Sequence, residues 1–259
     1  MNQAGGMSRS HPTKQPGTEI GMTYKYRKIL YNRLTIPYRP FYKRHPYRGM
    51  ISINSADDRG CVDMSMGFFY NRIPKAANST VMINLAKARF GTEIDSREAK
   101  RRFSTPSRLS KEEVERFDDL FKFTVVRNPY TRLLSAYLEK IEKRAKLKGS
   151  DSSFRDFIFW LKSGGLEKNA HWATMQSLLL IPADSFNFIG KMENLSNDLP
   201  FIFRHISPDF TMEFKSRSEH ATNASDKLTN YYSPDLIALT KDIYRNDFDI
   251  FQYSSDLPV

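Results

Sequence analysis

Three residues of the 259-residue chain combine a reactive side chain with a pattern that could hold it in place: Lys75, Arg127 and Ser135. Lys75 leads the segment PKAANST, residues 74–80, which lies between an apolar run and a stretch of helical spacing. A turn from strand to helix gathers free backbone N–H groups at the positive end of the helix dipole, and so attracts phosphate or sulfate. In the Walker pattern the lysine follows a glycine and precedes the Ser or Thr that holds magnesium. Here the lysine stands at the front and the loop has no glycine. Lys75, Ala76, Ala77, Asn78, Ser79 and Thr80 therefore offer a cradle suited to a phosphosulfate more than to a triphosphate. The competing reading is a surface turn capped by Asn78 or Ser79, with Lys75 in solvent.

A second turn follows in VVRNPYTRLLSAYLEK, residues 125–140. Arg127 ends a strand pattern, and ligands of open α/β sheets gather at the carboxyl ends of strands. Its planar fork matches a terminal phosphate better than an ammonium does. Ser135 lies one to two turns into the following helix. Arg132, Ser135 and Glu139 share a face at i, i+3 and i+7, while Leu133, Leu134, Tyr137 and Ile141 can cover core. Arg127 and the Ser135 hydroxyl can thus meet on one phosphate; alternatively, Arg127 pairs with a carboxylate and Ser135 only packs. Two strand ends bearing phosphate-type donors favour a nucleotide site over coincidence.

The elements that must position these residues alternate between strand and helix, which predicts an α/β fold, a P-loop-like three-layer α/β/α sandwich with a mainly parallel central sheet. Strands are expected over Met66–Ile73, Phe121–Arg127 and Phe186–Gly190. Helices are expected over Ser79–Phe90, from Pro129 to about Lys146, over Phe154–Leu161 and Leu195–His205, and from Pro234 to about Arg245 with Ser233 as N-cap. The charged stretch 95–120 predicts a short helix and loops over the site.

Residues 57–259 form the expected catalytic domain, and residues 1–56 a flexible, basic, Tyr-rich arm. The first 23 residues are polar and cannot offset ordering entropy by burial. Tyr24 to Arg48 carries eight Lys or Arg and no acid, supplying +8 of the formal net charge of +11. Two readings stand for this segment: direct contact with an anionic ligand, or tyrosines packed on the domain with the charges solvated.

The positive charge favours polyanionic partners without choosing among them. A single cysteine, Cys61, excludes an intrachain disulfide and a cysteine-rich zinc site. No stretch has the roughly 18 consecutive apolar residues of a membrane span, and no secretory signal is evident. The expectation is a soluble, cytoplasmic protein, with the basic arm able to touch a membrane surface.

PKAANST resembles the 5'-phosphosulfate loop, and VVRNPYTRLLSAY the 3'-phosphate motif, of the family 2 carbohydrate sulfotransferases. The His-Trp pair of AHWATMQSLLL, the segment FNFIGKMENLSND and the ending from HATNASDK to FDIFQY extend the resemblance over about residues 66–253. It implies 3'-phosphoadenosine 5'-phosphosulfate (PAPS) as co-substrate, without a metal, and a carbohydrate hydroxyl as acceptor. Lys75 would contact the sulfated 5'-phosphate and its bridging oxygen, Ala76 to Thr80 would cradle that group, and Arg127 and Ser135 would take the 3'-phosphate. Asn78 departs from the small residue or glycine frequent at its place. The paired cysteines common in vertebrate members after the His-Trp pair are absent, which implies an intracellular enzyme.

Such a transfer needs a base for the attacking hydroxyl. His171, beside Trp172 at the start of an expected helix, is the leading candidate. His11 and His45 fall in the arm, His205 closes a helix, and His220 lies in a polar loop. Glu98, Glu112, Glu113 and Glu115 compete for the role. Glu193 is expected to order Arg127 and Lys75 by ion pairing. The basic surface suits an acidic polysaccharide or oligosaccharide as acceptor, with nucleic acid disfavoured. A P-loop-type small-molecule kinase and a basic nucleic-acid-binding protein are the alternatives; the first would need magnesium, and the second would lose its affinity with residues 1–56.

Overall fold

The side chains of the central strands alternate between two apolar environments, so both faces of the sheet are covered. The computed structural model describes residues 27, 29–144, 153–210 and 223–258. Four strands, β1 (Gly60–Asp63), β2 (Phe68–Asn71), β3 (Phe121–Val126) and β4 (Phe188–Lys191), form one sheet in that order. β1 is antiparallel to β2, while β2, β3 and β4 run parallel. Seven helices are labelled here: α1 (Asn78–Phe90), α2 (Ser96–Arg102), α3 (Pro129–Tyr137), α4 (Phe154–Trp160), α5 (Leu195–Ile206), α6 (Pro234–Ile243) and α7 (Arg245–Ile250).

Phe68 and Tyr70 of β2, with Phe123 and Val125 of β3, pack on Val81, Met82 and Leu85 of α1 and on Leu199, Ile202 and Phe203 of α5. Phe69 and Val126, from the intervening positions, face a second cluster with Phe117, Met175, Leu178 and Phe251. The three-layer α/β arrangement is thus present, with an antiparallel edge strand that the sequence did not signal. A third cluster joins Tyr130, Leu133, Leu134 and Tyr137 of α3 to Phe157 and Ile158 of α4, Leu236 of α6 and Phe248 of α7.

Three expectations are corrected. Ile36, Phe41, Tyr42 and Ile51 lie inside the same cluster as Val62 and Phe69, so residues 36–51 are not a free arm. Phe41 is fully buried and its ring meets Phe117 edge-on, and the Tyr42 hydroxyl donates to Asp57 at 2.9 Å. Of the two readings for the basic segment, packing with solvated charge describes residues 36–51, because Lys43 and Arg44 remain exposed between the buried rings. The polar residues 1–23 lie outside the described residues.

His171 does not begin a helix; it sits in a turn, and a single 3-10 turn follows at Gln176–Leu178. The third correction concerns Ser233, which occupies the N-cap position of α6 but donates its hydroxyl to Asp235 at 2.6 Å and caps no amide. In the charged stretch, the expected short helix is α2, followed by a brief helix at Lys111–Glu115 that opens with a capping box from Ser110 and Glu113.

Candidate active site

The turn that carries Lys75 is built against the preferences of its own residues. Lys75 (φ 69°) and Ala77 (φ 51°) both adopt the left-handed region, which costs a non-glycine residue about 1–2 kcal/mol. Compensation comes from neighbours: Arg127 donates from a terminal guanidinium nitrogen to the Lys75 carbonyl at 3.2 Å, and Arg132 donates to the Pro74 carbonyl at 3.1 Å. α1 begins immediately after the turn. Its N-cap, Ala77, has no side chain able to accept from the first-turn amides, so neither Asn78 nor Ser79 caps the helix. The Asn78 Oδ1 is buried without a hydrogen-bond partner. This is the state of a helix start that leaves its N–H groups to an anion.

Lys75 is not in solvent. Its side chain is 9% exposed and its ammonium forms an ion pair with Glu139. Glu139 also meets the Lys140 ammonium at 2.7 Å. Burial opposes its charge, yet the hydrogen bonds from Lys140 and Lys75 hold its carboxyl at about 2. Burial pushes the Lys75 ammonium below its ordinary value, with Glu139 acting against that. Glu139 can reach the loop because α3 widens into a π-helical turn over Leu138–Glu142, a distortion frequent at functional sites.

Arg127 follows the last residue of β3 and is 8% exposed. Its Nε donates to Thr131 Oγ1 at 3.0 Å. With one terminal nitrogen on the Lys75 carbonyl, the other is left without a hydrogen bond among the described residues. Ser135 is buried on α3. Asn128 caps α3 by accepting from the Tyr130 N–H at 3.0 Å, and Pro129 takes the first helical position, where a missing N–H costs nothing.

Glu193 has a different part from the expected ion pairing with Arg127 and Lys75. Its carboxylate accepts from the Asn128 N–H and the Tyr253 hydroxyl, both at 2.8 Å. It therefore fixes the β3–α3 turn through the backbone, and supplies Arg127 with a nearby negative charge that opposes the effect of burial.

Sequence reasoning saw the shared face of Arg132, Ser135 and Glu139 but not what the first and last of these do. Arg132 is 1% exposed. Besides Pro74 it donates to the carbonyls of Ala173 at 2.8 Å and Ala170 at 3.2 Å. One guanidinium thus holds the Lys75 loop, α3 and the His-Trp segment together. Asp247 of α7 steadies the same segment by accepting from the Met175 and Gln176 N–H groups at 2.7 and 2.9 Å.

His171 is brought to this group. Trp172 anchors the segment by donating to the Gly165 carbonyl at 2.9 Å, and the His171 ring lies within electrostatic reach of Lys140, Arg59, Glu139 and Lys75. Burial and the positive charges of Lys140 and Arg59 push its imidazole down to about 3, leaving it neutral at physiological pH. Its Nδ1 is buried and unpartnered. The competing acids are committed elsewhere: Glu98 pairs with Arg102 at 2.5 Å, Glu112 accepts from Ser110 at 2.8 Å, Glu113 belongs to the capping box, and Glu115 is exposed. His45 packs at tilted angles against Phe41 and Phe117, and His205 stacks on Phe121. His11 and His220 lie outside the described residues.

An α/β sheet whose carboxyl edge carries an uncapped helix start, a leading lysine and a buried arginine offers the donors that an anionic ligand needs, at the place where ligands of such sheets gather. The family model described as Sulfotransferase family matches residues 59–254, and the chain belongs to that family. Among curated proteins it is 25% identical to carbohydrate sulfotransferase 11 of Rattus norvegicus over 171 residues, 54% of this chain and 48% of the relative. It is 28% identical to carbohydrate sulfotransferase 14 of Danio rerio over 150 residues, 49% of this chain and 41% of the relative. Carbohydrate sulfotransferase 11 of Danio rerio matches at 23% identity over 234 residues, 74% of this chain and 66% of the relative. The chain therefore spans between 41% and 66% of the length of these relatives. No solved structure matches it significantly. Among the described residues no helix is long and apolar enough to cross a membrane.

Proposed function

We propose that the chain transfers a sulfuryl group from PAPS to a hydroxyl of a carbohydrate. The observation that carries this reading is the convergence of Lys75, Arg127 and the uncapped first turn of α1 at one edge of the sheet, in a member of the sulfotransferase family. The N–H groups of Ala76 to Thr80, with the Ser79 and Thr80 hydroxyls, hold the sulfated 5'-phosphate. Arg127, through its unengaged terminal nitrogen, and Ser135 hold the 3'-phosphate. PAPS supplies an activated sulfuryl group that leaves as the bond between sulfur and the bridging oxygen breaks.

His171 takes the proton of the attacking hydroxyl. Its unpartnered Nδ1 on a neutral ring is free to accept it, while the burial and the cations that keep the ring neutral also weaken it as a base. Lys75 leaves Glu139 to stabilise the charge that grows on the bridging oxygen, an electrostatic contribution usually large in such reactions. Arg132 and Glu193 are positioning residues: they hold the two turns and touch no reacting atom.

The test is calorimetric titration of the full chain with adenosine 3',5'-bisphosphate, with and without magnesium, on the native protein and the Lys75→Ala and Arg127→Ala variants. Binding independent of magnesium and weakened in both variants is expected. Unchanged binding in both, or a requirement for magnesium as in a kinase, would overturn the assignment.

A further inference from the structure

A second group of cations lies along the same edge of the sheet and is not used by the donor site. Gly60 pairs with Asn71 at the end of the β1–β2 ladder, so Arg59 and Arg72 stand side by side just beyond it, where the Arg72 N–H donates to the Arg59 carbonyl at 2.8 Å. Arg72 follows the last residue of β2 as Arg127 follows the last residue of β3. Because β2 and β3 are parallel, Arg59, Arg72 and Arg127 all occupy one edge. Lys100, in the last turn of α2, lies within electrostatic reach of Arg72 and Arg59.

Arg72 is buried and Arg59 and Lys100 are half-buried, with little to balance their charge. Arg72 is 6% exposed. The Nε atoms of Arg59 and Arg72 and the hydroxyl of Tyr70 are buried without hydrogen-bond partners. The nearest acids are Asp58, which faces both arginines, and Asp95, which faces Lys100. Among the described residues neither forms an ion pair within 4 Å with any of the three cations. Burial and the mutual repulsion of the group push Arg59 down to about 10, and burial with the charges of Arg72 and Arg59 pushes Lys100 down to about 8. Uncompensated buried charge of one sign is costly, and a ligand of the opposite sign removes the cost. Arg59 is also one of the charges acting on His171, so an anion held here would lie within electrostatic reach of the proposed base. It would sit one strand from Arg127 on the Arg72 side and two on the Arg59 side, about 5–10 Å across the sheet.

We propose that Arg59, Arg72 and Lys100 form an acceptor subsite that takes an anionic group of the glycan, a uronate carboxylate or a sulfate ester already present, next to the hydroxyl to be sulfated. This rests on the sulfotransferase reading and extends it to the acceptor. Arginine supplies the fork for a carboxylate or sulfate oxygen pair, and Lys100 a third positive contact.

The test measures binding to the full chain of three probes: an unsulfated uronate-containing oligosaccharide, its carboxyl-reduced counterpart, and a sulfated polysaccharide without uronate. Adenosine 3',5'-bisphosphate serves as the control ligand. Lys100→Gln and Arg59→Gln are the primary variants, since both positions are less deeply buried than Arg72, and Arg72→Gln is the third. Binding of at least one anionic probe is expected, weakened about tenfold in each variant, with bisphosphate affinity unchanged within about twofold. Loss confined to the uronate oligosaccharide, with failure of its reduced form, assigns a carboxylate; loss confined to the sulfated polymer assigns a sulfate ester.

Glycan binding that is equal in native and variant proteins, absent from both anionic probes, or undiminished by carboxyl reduction where only the uronate probe binds overturns the proposal. So does a fall in bisphosphate affinity as large as that for the glycan, which would place the cluster in the donor site. Failure of the native chain to bind bisphosphate while glycan binding depends on the three cations would instead count against the donor reading alone.

Discussion

Lys75 and Glu139, 64 residues apart in sequence, form an ion pair that closes the front of the 74–80 loop. The lysine proposed to meet the donor is therefore already engaged by a carboxylate held at about 2, ionised at any working pH. Replacing Glu139 by Gln removes the competitor, and the affinity for adenosine 3',5'-bisphosphate is expected to rise about three- to tenfold, a modest gain for a partly exposed pair. Calorimetry at low and moderate salt measures it. Weaker binding in the variant would show that the carboxylate positions the lysine more than it occupies it.

His171 is neutral down to about 3 because burial and neighbouring cations disfavour its charged form. Turnover should show no acid limb near 6.5, and His171→Ala should lower kcat by at least about a hundredfold, within the range for a lost general base. Bisphosphate affinity should stay within about twofold. A pH profile of kcat on the native chain and one titration of the variant decide both points.

The same histidine affects stability with a definite sign. Its folded pKa lies below the unfolded value, so the unfolded chain binds the proton first and stability falls as pH drops from about 6.5 towards 3. Urea unfolding at pH 7 and pH 5 should show a loss in the native protein, at most about 2 kcal/mol from this group, that is smaller in His171→Ala. Equal losses would mean that the ring is charged in the folded state.

Arg132 offers a separation of stability from chemistry. Its guanidinium satisfies three buried carbonyls, and Arg132→Met leaves all three without that donor. A loss of about 3–5 kcal/mol is expected in denaturant unfolding, from three buried acceptors at about 1–3 kcal/mol each less the relief of desolvating one guanidinium, with a fall in bisphosphate affinity because Pro74 is released. Arg132→Lys should recover little of either, since one ammonium cannot span Pro74, Ala170 and Ala173.

The aromatic residues of the basic segment make a further prediction. Phe41→Ala should cost about 3–5 kcal/mol as a core truncation. Deletion of residues 1–56 should prevent folding, not merely remove a ligand contact. Thermal unfolding of each checks this, and a folded, nucleotide-binding 57–259 fragment would contradict it.

Much of the framework was legible because its signals are local. The apolar runs at Phe68–Asn71 and Phe121–Val126, and Pro129 after Asn128, fix where β2 and β3 end and where α3 begins. Lys75 and Arg127 are placed by those ends alone. β1 was missed because four residues, GCVD, are too few to show a period of two. The packing of residues 36–51 was obscured because the buried Phe41 and Tyr42 lie between Arg39 and the exposed pair Lys43 and Arg44, so average polarity hides the inward rings. The positioning duties of Arg132 and Glu193 depend on partners 38–65 residues away, contacts that no short pattern announces. The face shared by Arg132, Ser135 and Glu139 was the one available hint.

The three-way grip of Arg132 has a kinetic consequence. It joins segments around residues 74, 132 and 170–173, so the loop at 74–80 gains its shape only when chain-distant pieces have met. Contacts of such span form late and in concert with the global transition. The loop carries two left-handed residues that are unfavourable alone, so it should exist only in the fully assembled protein. In native-state hydrogen exchange the amides of Lys75 to Asn78 should open together with those near Ala170 and Ala173, as one cooperative unit instead of a fraying surface turn.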